Sequence, residues 1–398
     1  MDETNRMHKL SPPDGLRCST AVGDMPPFTL ADELRRLSVG DVINLALGVP
    51  DHAGSPEAVA AAVEALQAGH NQYAESRGSP AFREAIAAAL TRETGRETDP
   101  VREVTVTCGA TGGMFCVLAA LLDPGDEAVL LDPFYPQHAN VLRFLRARAR
   151  HVAVPDPDWR LDAAALGDVV RPETRAVALC NPDNPTGRVW TALELGCLAD
   201  ACRRHGAVLV VDEVYAELVF DGRPFASAWS AGAPDHVVVV RSASKSFQLS
   251  GWRVGYVAAP AWLTPHLRTV HELTALGVPT PLQEGVQAAL EAGALDDRRS
   301  SFSDRRDRLA DALGELGARP TRCEGGMFQI FDVTGSPWPD DLDFCRHLAG
   351  AGVLVTPGRA FFADAARGRR FVRVAFGRRI ELIEAAEARL RALARATR

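Results

Sequence analysis

The residue whose type points most directly to chemistry is Lys245. The chain holds 44 lysines and arginines, and only Lys9 and Lys245 among them are lysines. A bias toward arginine codons explains much of this skew, because arginine can replace lysine as a surface charge. It does not explain why Lys245 remains. A lysine can lose its proton and act as an amine nucleophile, whereas a guanidinium stays protonated. Lys245 is therefore a candidate for amine chemistry.

Other side chains suited to chemistry follow short apolar runs of the sequence. Asp212 and Tyr215 follow one run, Ser242 to Lys245 follow a second, and the segment from Asn181 to Gly187 follows a third. The small residues Gly109, Ala110 and Thr111 follow a fourth and open a predicted helix, where a phosphate can bind. Ligands of open parallel sheets collect beyond the carboxyl ends of the strands. We therefore expect these residues to meet in one site.

The elements that must position these residues are predicted from alternating apolar runs and helical stretches. This alternation favours an α/β fold with a mostly parallel, doubly wound sheet. A predicted helix begins at Ser55 and is stopped by Gly69, and another begins at Ser79 and ends at Gly95. The predicted strands are 103–107, 128–131, 151–154, 175–179, 207–211, 237–240 and 254–258.

The pattern of predicted helices and strands changes after about residue 281. Long amphipathic helices follow, with a strand near 328–333, short strands near Val353 and Phe371, and a final helix from Ile380. Because 398 residues exceed the usual size of a single core, we predict two domains. Residues 50–285 would form a large domain, and residues 25–49 and 286–398 a smaller α+β domain. Residues 1–24 are predicted to be a flexible lead-in.

Composition excludes several classes of protein. The formal charge of −7 is spread along the chain, so no nucleic-acid surface is expected. No apolar run approaches the length of a membrane span, and the N-terminus lacks the apolar centre of a secretory signal. The eight cysteines are scattered without a C-x-x-C pair, which indicates reduced thiols and no metal site. We expect a cytoplasmic protein without a membrane partner.

These parts meet the needs of one cofactor. Pyridoxal phosphate requires a lysine for its aldehyde, a carboxylate at its pyridine nitrogen, donors to the ring oxygen and a cradle for the phosphate. The motif SASKSFQLSGWRVGY from Ser242 to Tyr256, preceded by NPDNPTG from Asn181 to Gly187, resembles the class I aminotransferases of fold type I. The likeness extends from about Asn44 to Arg373. It implies the fold type I architecture, with a large doubly wound domain and a smaller one.

The resemblance implies roles for the residues that contact the cofactor. Lys245 would hold it as a Schiff base and move the substrate proton, Asp212 would pair with the pyridine nitrogen, and Tyr215 and Asn184 would bond the ring oxygen. Tyr135 would stack on the ring. The phosphate would be held by small, polar and basic residues, together with a tyrosine from the neighbouring subunit of a homodimer: Gly109, Ala110, Thr111, Ser242, Arg253 and Tyr73.

The resemblance also implies a substrate site and leaves three questions open. Arg373, with Gly48 and Asn184, would bind the substrate α-carboxylate. Phe134 competes with Tyr135 for the stacking role. A β-eliminating lyase, or other chemistry at Cα or Cβ, is the alternative to an aminotransferase that moves an amino group from an L-amino acid to a 2-oxo acid. We expect neutral or aromatic substrates, since no partner for a distal carboxylate can be identified.

The sequence lacks part of the motif that each of several other enzyme classes requires. Ser242 to Lys245 fits the S-x-x-K pattern of penicillin-binding hydrolases, but no lysine follows for the K-T-G that these need. The phosphate loop of nucleotide hydrolases is missing, and the segment from Gly109 does not match the dinucleotide fingerprint G-x-G-x-x-G. A transcription regulator with an aminotransferase-like module is not expected, because too few residues precede the predicted fold for a DNA-binding domain.

Overall fold

The computed structural model describes residues 19–23, 41–51, 53–293 and 299–397, without the side chains of 299 and 300. Most of the predicted lead-in, residues 1–24, lies outside this range, and so does much of the predicted N-terminal part of the small domain. The helices of the described residues, in chain order, are α1 (Thr20–Gly23), α2 (Pro56–Gln67), α3 (Pro80–Thr94), α4 (Gly109–Leu121), α5 (Pro136–Phe144), α6 (Ala163–Gly167), α7 (Ala192–His205), α8 (Ala243–Ser246), α9 (Thr264–Ala275), α10 (Thr280–Glu291), α11 (Arg299–Gly314), α12 (Asp341–Gly350), α13 (Ala365–Gly368) and α14 (Ile380–Thr397).

The strands pair into three sheets. They are β1 (Ile43–Asn44), β2 (Val104–Cys108), β3 (Glu127–Asp132), β4 (Arg148–Ala153), β5 (Thr174–Cys180), β6 (Val208–Asp212), β7 (Val237–Ser242), β8 (Val254–Ala258), β9 (Arg319–Pro320), β10 (Phe328–Asp332), β11 (Val353–Leu354), β12 (Thr356–Pro357) and β13 (Phe371–Ala375). The largest sheet has the order β2-β8-β7-β6-β5-β3-β4. In it only β8 runs antiparallel to its neighbours. The predicted α/β fold with a mostly parallel sheet is confirmed.

The central strands are buried on both faces, as their continuous Val and Leu runs predicted. Two boundaries differ from the prediction by more than one residue, for physical reasons. Strand β7 continues through Arg241, whose charge is held inside by the carboxylates of Glu213 and Glu93. Strand β4 begins at Arg148, three residues early, because this edge strand is largely solvent-facing and carries charged side chains. The charged residues at the end of β7 and the start of β4 therefore hid these limits from a prediction based on apolar runs.

The first two long helices begin and end where their signals predicted. The hydroxyl of Ser55 accepts a hydrogen bond from Ala58 N at the start of α2, and that of Ser79 accepts one from Phe82 N at the start of α3. Gly95 ends α3 in the left-handed conformation, with φ of 70°. Within the described residues, no helix is both long and apolar enough to cross a bilayer.

A second, antiparallel sheet follows in the C-terminal part of the chain, with the order β12-β13-β10-β9. Strand β10 pairs with β13 so that Ile330 lies opposite Arg373. Strand β1 pairs in parallel with β11, and this pair joins a segment near the N-terminus to the C-terminal part. The predicted strands near Val353 and Phe371 and the helix from Ile380 are confirmed. The division into two domains stays a prediction.

Candidate active site

A pocket of about 620 Å³ lies at the carboxyl edge of the large sheet and reaches the second sheet. Strands β5, β6 and β7 run parallel, so that their last residues share this edge, with Cys180 opposite Asp212 in the register. The pocket wall contains all but two of the predicted site residues, namely Gly48, Ala110, Thr111, Tyr135, Asn184, Asp212, Tyr215, Ser242, Lys245, Arg253 and Arg373. The sequence prediction of a shared site at these strand ends therefore agrees with the geometry.

Lys245 lies in the short helix α8, directly after β7. The hydroxyl of Ser242 caps this helix by accepting a hydrogen bond from Ser244 N. The Lys245 ammonium donates to the carbonyl of Gly48 across the pocket, at 2.5 Å. Burial, together with the charges of Arg253 and Arg373, lowers the pKa of the Lys245 amine to about 8, against the opposing effect of Asp212. About a tenth of the amine is therefore neutral, and so nucleophilic, at pH 7.

Asp212 is the last residue of β6, and its carboxylate is buried. One carboxylate oxygen accepts a hydrogen bond from Val214 N at 3.2 Å. The other lies 3.6 Å from Nε2 of His138, a buried ring nitrogen that has no hydrogen-bond partner among the described residues. The Cys180 thiol lies beside Asp212 and His138. The atoms of these three side chains that could coordinate a metal ion lie within 4.8 Å of one another. A buried carboxylate whose neighbouring histidine nitrogen has no hydrogen-bond partner can accept a hydrogen bond from a further, cationic donor.

Sequence reasoning missed His138. It lies in the first turn of α5, three residues after Tyr135 and beyond the end of β3. Its place in a helix that starts at a strand end was the available signal, because the same signal had identified Gly109 to Thr111. The residues after β3 are not among the predicted strand-end residues, and Tyr135 is named only through the family resemblance.

Two tyrosines line the pocket. Burial and the nearby Asp212 charge raise the pKa of Tyr135 to about 12. Tyr215 has a pKa raised well above its usual value by burial, so both phenols keep their protons as hydrogen-bond donors. The ring of Phe134, the rival for the stacking role, instead packs on His151 with ring centroids 4.7 Å apart. Of the two neighbours, only Tyr135 is part of the pocket wall.

The start of α4 lies beside the guanidinium of Arg253. The N-cap residue Cys108 makes no side-chain hydrogen bond, so the first backbone N–H groups of α4 remain available to a ligand. Gly109 has φ of 66°, and a Cβ there would lie 2.4 Å from a guanidinium nitrogen of Arg253. Because Gly109 has no side chain, the Arg253 guanidinium can lie against the start of the helix. Gly109 itself thus shapes the cradle without lining the pocket.

Arg253 is held in position by nearby groups. One of its guanidinium nitrogens donates to the carbonyl of Ser250 at 2.9 Å and lies 3.5 Å from the hydroxyl of Ser244. Ser244 also lines the pocket, and its hydroxyl accepts from that of Ser242 at 2.8 Å. Sequence reasoning named Ser242 and overlooked Ser244. The spacing S-x-S in the lysine motif was the available signal.

Arg373 reaches the pocket from β13 of the second sheet. Its guanidinium donates to the side-chain oxygen of Asn184 at 2.8 Å and to the carbonyl of Ala46 at 2.7 Å. The rings of Phe328 and Phe361 flank it, with centroids 4.1 and 4.5 Å away. Burial lowers its pKa to about 10, so it stays charged at neutral pH. Its buried Nε has no partner among the described residues, which leaves a donor free for an incoming carboxylate.

Of the remaining predicted residues, Gly48 lines the pocket and Tyr73 does not. Gly48 belongs to the pocket wall, and a Cβ there would lie 2.0 Å from the ring of Phe328, so a larger residue would require this ring to move. Tyr73 is 89% exposed and lies outside the pocket wall of this chain. Its predicted contact with the phosphate of a neighbouring subunit therefore stays a prediction.

The described residues fit pyridoxal phosphate. The pocket offers an amine of lowered pKa, a buried carboxylate, two phenols and a helix start with an adjacent guanidinium, which are the groups that this cofactor needs. The free Nε of Arg373 supplies a separate place for a second anion. The fold and the site together define a pyridoxal-phosphate enzyme with a doubly wound sheet.

Comparisons with known proteins agree with this class. Residues 40–390 match the family model of class I and II aminotransferases. A probable N-succinyldiaminopimelate aminotransferase of Mycobacterium tuberculosis is 36% identical over 88% of this chain and 92% of the relative. The arginine–pyruvate transaminase of Pseudomonas aeruginosa is 35% identical over 84% and 86%. A solved Escherichia coli structure described as having a methionine aminotransferase function has a TM-score of 0.87 at 30% identity, covering 95% of this chain and 100% of that one.

The chain belongs to the class I and II aminotransferases. It is a pyridoxal-phosphate-dependent enzyme that moves an amino group between an amino acid and a 2-oxo acid. The predicted family, fold type, cofactor and enzyme class are confirmed. The lyase alternative gives way to transamination, because the relatives named above are all aminotransferases.

Proposed function

We propose that this enzyme transfers the amino group of a neutral or aromatic L-amino acid to a 2-oxo acid in two half-reactions, with Lys245 as its central residue. When bound, pyridoxal phosphate supplies an aldehyde for the amino group and a ring that accepts electrons from Cα. The amine of Lys245 anchors the cofactor and, once released, carries the proton to and from the substrate Cα. The placement of Lys245 in one pocket wall with Asp212 and Arg373 is the single observation that supports the proposal most strongly.

Asp212 is proposed to keep the ring nitrogen protonated. Its buried carboxylate has an oxygen that makes no hydrogen bond to the backbone and that lies 3.6 Å from Nε2 of His138. His138 would hold this carboxylate in place from the opposite side. Tyr215 and Asn184 would donate to the ring oxygen, and the ring of Tyr135 would cover one face of the cofactor. The high pKa of each phenol supports donation, since each keeps its proton.

Two further anion sites are proposed at opposite ends of the pocket. The helix start at Gly109, with Ala110, Thr111, Ser242 and Arg253, would bind the cofactor phosphate. Arg373, supported by Asn184 and by the segment that contains Gly48, would bind the substrate α-carboxylate through its guanidinium fork. The free Nε of Arg373 and its flanking aromatic rings support this assignment.

Single-turnover spectra test the reaction. A suitable L-amino acid alone should convert the bound cofactor from its aldehyde form to its amine form and release one equivalent of 2-oxo acid. Turnover should then stop until an acceptor such as 2-oxoglutarate or pyruvate is added, which gives ping-pong kinetics. A panel of L-amino acids would measure the side-chain preference. Continuous release of ammonia without an acceptor would contradict the proposal and indicate β-elimination.

We also propose that the active unit is a homodimer in which Tyr73 reaches the partner's phosphate site. The high exposure of this tyrosine supports an interface position. Mixed dimers of Tyr73→Phe and Lys245→Ala should regain activity, because one of their two sites carries neither change. Dimers shown to be mixed that remain as inactive as their parents would argue against shared sites. A monomeric, fully active enzyme would contradict the dimer itself.

A cytoplasmic location is proposed on the basis of the cysteines. The cysteines at 108, 116, 180, 197, 202, 323 and 345 all carry free thiols in the described structure. Reduced thiols are typical of the cytoplasm. Thiol titration of protein purified without reductant should find them reduced, and disulfide formation between them would contradict this location.

A further inference from the structure

The pocket contains a third arginine that neither the proposed cofactor site nor the α-carboxylate site uses. Arg359 lies in the short 3₁₀ helix Gly358–Phe361, directly after β12, and it lines the pocket. Phe361 of the same turn packs on the guanidinium of Arg373, and Thr356 of β12 lies within 3.4 Å of that guanidinium. Residues 356–361 therefore form one side of the pocket, with Arg359 next to the proposed substrate site.

The electrostatic state of Arg359 differs from that of the other cations of the pocket. Arg253, Arg373 and Lys245 have neutral hydrogen-bond acceptors and no carboxylate within ion-pair distance among the residues that the structure describes. Their charges are free to bind anionic groups of ligands. Arg359, in contrast, is paired with two carboxylates of the chain itself.

The pairing of Arg359 with Asp341 is close and buried. Nε of Arg359 donates to both carboxylate oxygens of Asp341, at 2.9 and 3.0 Å. The same carboxylate accepts the backbone N–H of Arg359 at 3.0 Å and has no exposed surface. Nη2 of Arg359 also contacts Asp341. This bidentate arrangement fixes the orientation of the guanidinium of Arg359, a residue that lines the pocket.

Asp340 adds a second negative charge. Both of its carboxylate oxygens lie 3.0 Å from Nη2 of Arg359. The cluster of Arg359, Asp340 and Asp341 therefore carries one positive and two negative charges. A substrate carboxylate that approaches Arg359 meets a group whose field is already cancelled, and it would have to lose its own hydration without a compensating attraction. A neutral side chain meets no such cost.

From this geometry we infer that the paired arginine Arg359, held by Asp340 and Asp341, makes the substrate side-chain site selective for neutral over dicarboxylic amino acids. The inference rests on the proposed binding of the α-carboxylate by Arg373 and extends it to the side chain. Gln137 and Asn140, which line the same pocket, are also neutral polar groups. The class of substrate is therefore one with an apolar or amide-terminated side chain.

Asp340 provides the sharpest test, because its charge can be removed without removing its structural role. Its side chain caps α12 by accepting a hydrogen bond from Leu342 N, and asparagine caps helices equally well. Asp340→Asn should thus fold normally, while the net charge of the cluster rises from −1 to zero. Asp162→Asn is the matched control, since Asp162 caps α6 in the same manner and does not line the pocket.

The measurement is equilibrium binding to the holoenzyme of two non-reacting ligands, glutarate and its monoamide. Each carries one carboxylate for Arg373, and they differ only at the far end. The wild type and Asp162→Asn should prefer the monoamide. Asp340→Asn should shift the ratio of dissociation constants toward glutarate by about tenfold, as expected when one of the two carboxylates that offset the Arg359 charge becomes neutral. The shift should disappear in Asp340→Asn/Arg359→Met, because it acts through the arginine.

Two results would overturn the inference. One is an unchanged ratio in Asp340→Asn that melts at the wild-type temperature. The other is a shift that persists after Arg359 is replaced. Failure of the proposed function is measured separately, by the spectral half-reaction with L-alanine, whose side chain is too short to reach Arg359. An enzyme that reacts with alanine but shows no shift in binding ratio would retain its function and lose this inference.

Discussion

The two ends of the pocket are built in different ways. On the cofactor side, Asp212, Ser242 and Lys245 lie at or just after the ends of neighbouring strands of one sheet. On the substrate side, Arg373 comes from a separate sheet, and its partners Asn184 and Ala46 are 189 and 327 residues away in sequence. One end is thus fixed by local order along a sheet edge, and the other by the packing of distant segments.

This difference has an energetic consequence. A buried guanidinium is costly unless its donors are satisfied, and Arg373 depends for this on three segments of the chain. Changes on the substrate side should therefore weaken the binding of substrate while the cofactor stays bound. Changes on the cofactor side should remove the chemistry itself.

The largest effect is expected for Lys245→Arg. The substituted guanidinium keeps the charge but cannot supply a neutral amine, so turnover should fall by at least about 10⁴-fold. The purified wild type should be yellow, and borohydride reduction followed by peptide mass analysis should find the cofactor on Lys245. The matched control is Lys9→Arg, which should remain active and labelled. Label on Lys9, or on neither lysine, would contradict the central role of Lys245.

Asp212→Asn should produce the next largest loss on the cofactor side. The amide keeps the shape of the side chain but removes the charge that stabilises a protonated ring nitrogen, so kcat should fall by about 10³-fold. The protein should still fold and retain cofactor, which absorbance and thermal melting measure. Turnover close to that of the wild type would assign Asp212 a purely structural role at the end of β6.

Arg373→Lys should separate the two ends of the pocket. A lysine preserves the charge but not the planar fork, so kcat/KM for amino acids should fall by about 10²-fold while cofactor absorbance is unchanged. Arg379→Lys, at an exposed position six residues further along the chain, serves as the control. Loss of cofactor from Arg373→Lys would show that the two ends are not independent.

The smallest expected effect concerns pH. Because burial lowers the pKa of Lys245 to about 8, the amine is protonated below that pH and neutral above it. Only the neutral amine can bind the aldehyde, so the rate at which the apoenzyme captures cofactor should rise about tenfold per pH unit below pH 8 and level off above it. Asp212→Asn should move the midpoint down, since the Asp212 charge raises this pKa. A midpoint near that of an ordinary lysine would contradict the buried environment.

Much of the cofactor side could be predicted from sequence. Runs such as Val237–Val240 identify buried parallel strands, and the residues that follow them must meet at one edge. The prediction failed where charge or packing intervened. Arg241 concealed the end of β7, because its neutralisation by Glu213 and Glu93 is a tertiary contact. The resemblance of the lysine motif to a known family identified the cofactor without any of these contacts.

The sequence by itself determined the order of strands and helices, the lysine proposed as the nucleophile and the residues at the strand ends, because backbone periodicity and motif spacing are local properties. The tertiary structure alone decided that His138 faces Asp212, that Tyr135 rather than Phe134 lines the pocket, and that Arg359 is paired with Asp340 and Asp341 while Arg373 is not. The physical reason is that charge state and reactivity depend on burial and on partners, which only packing brings together.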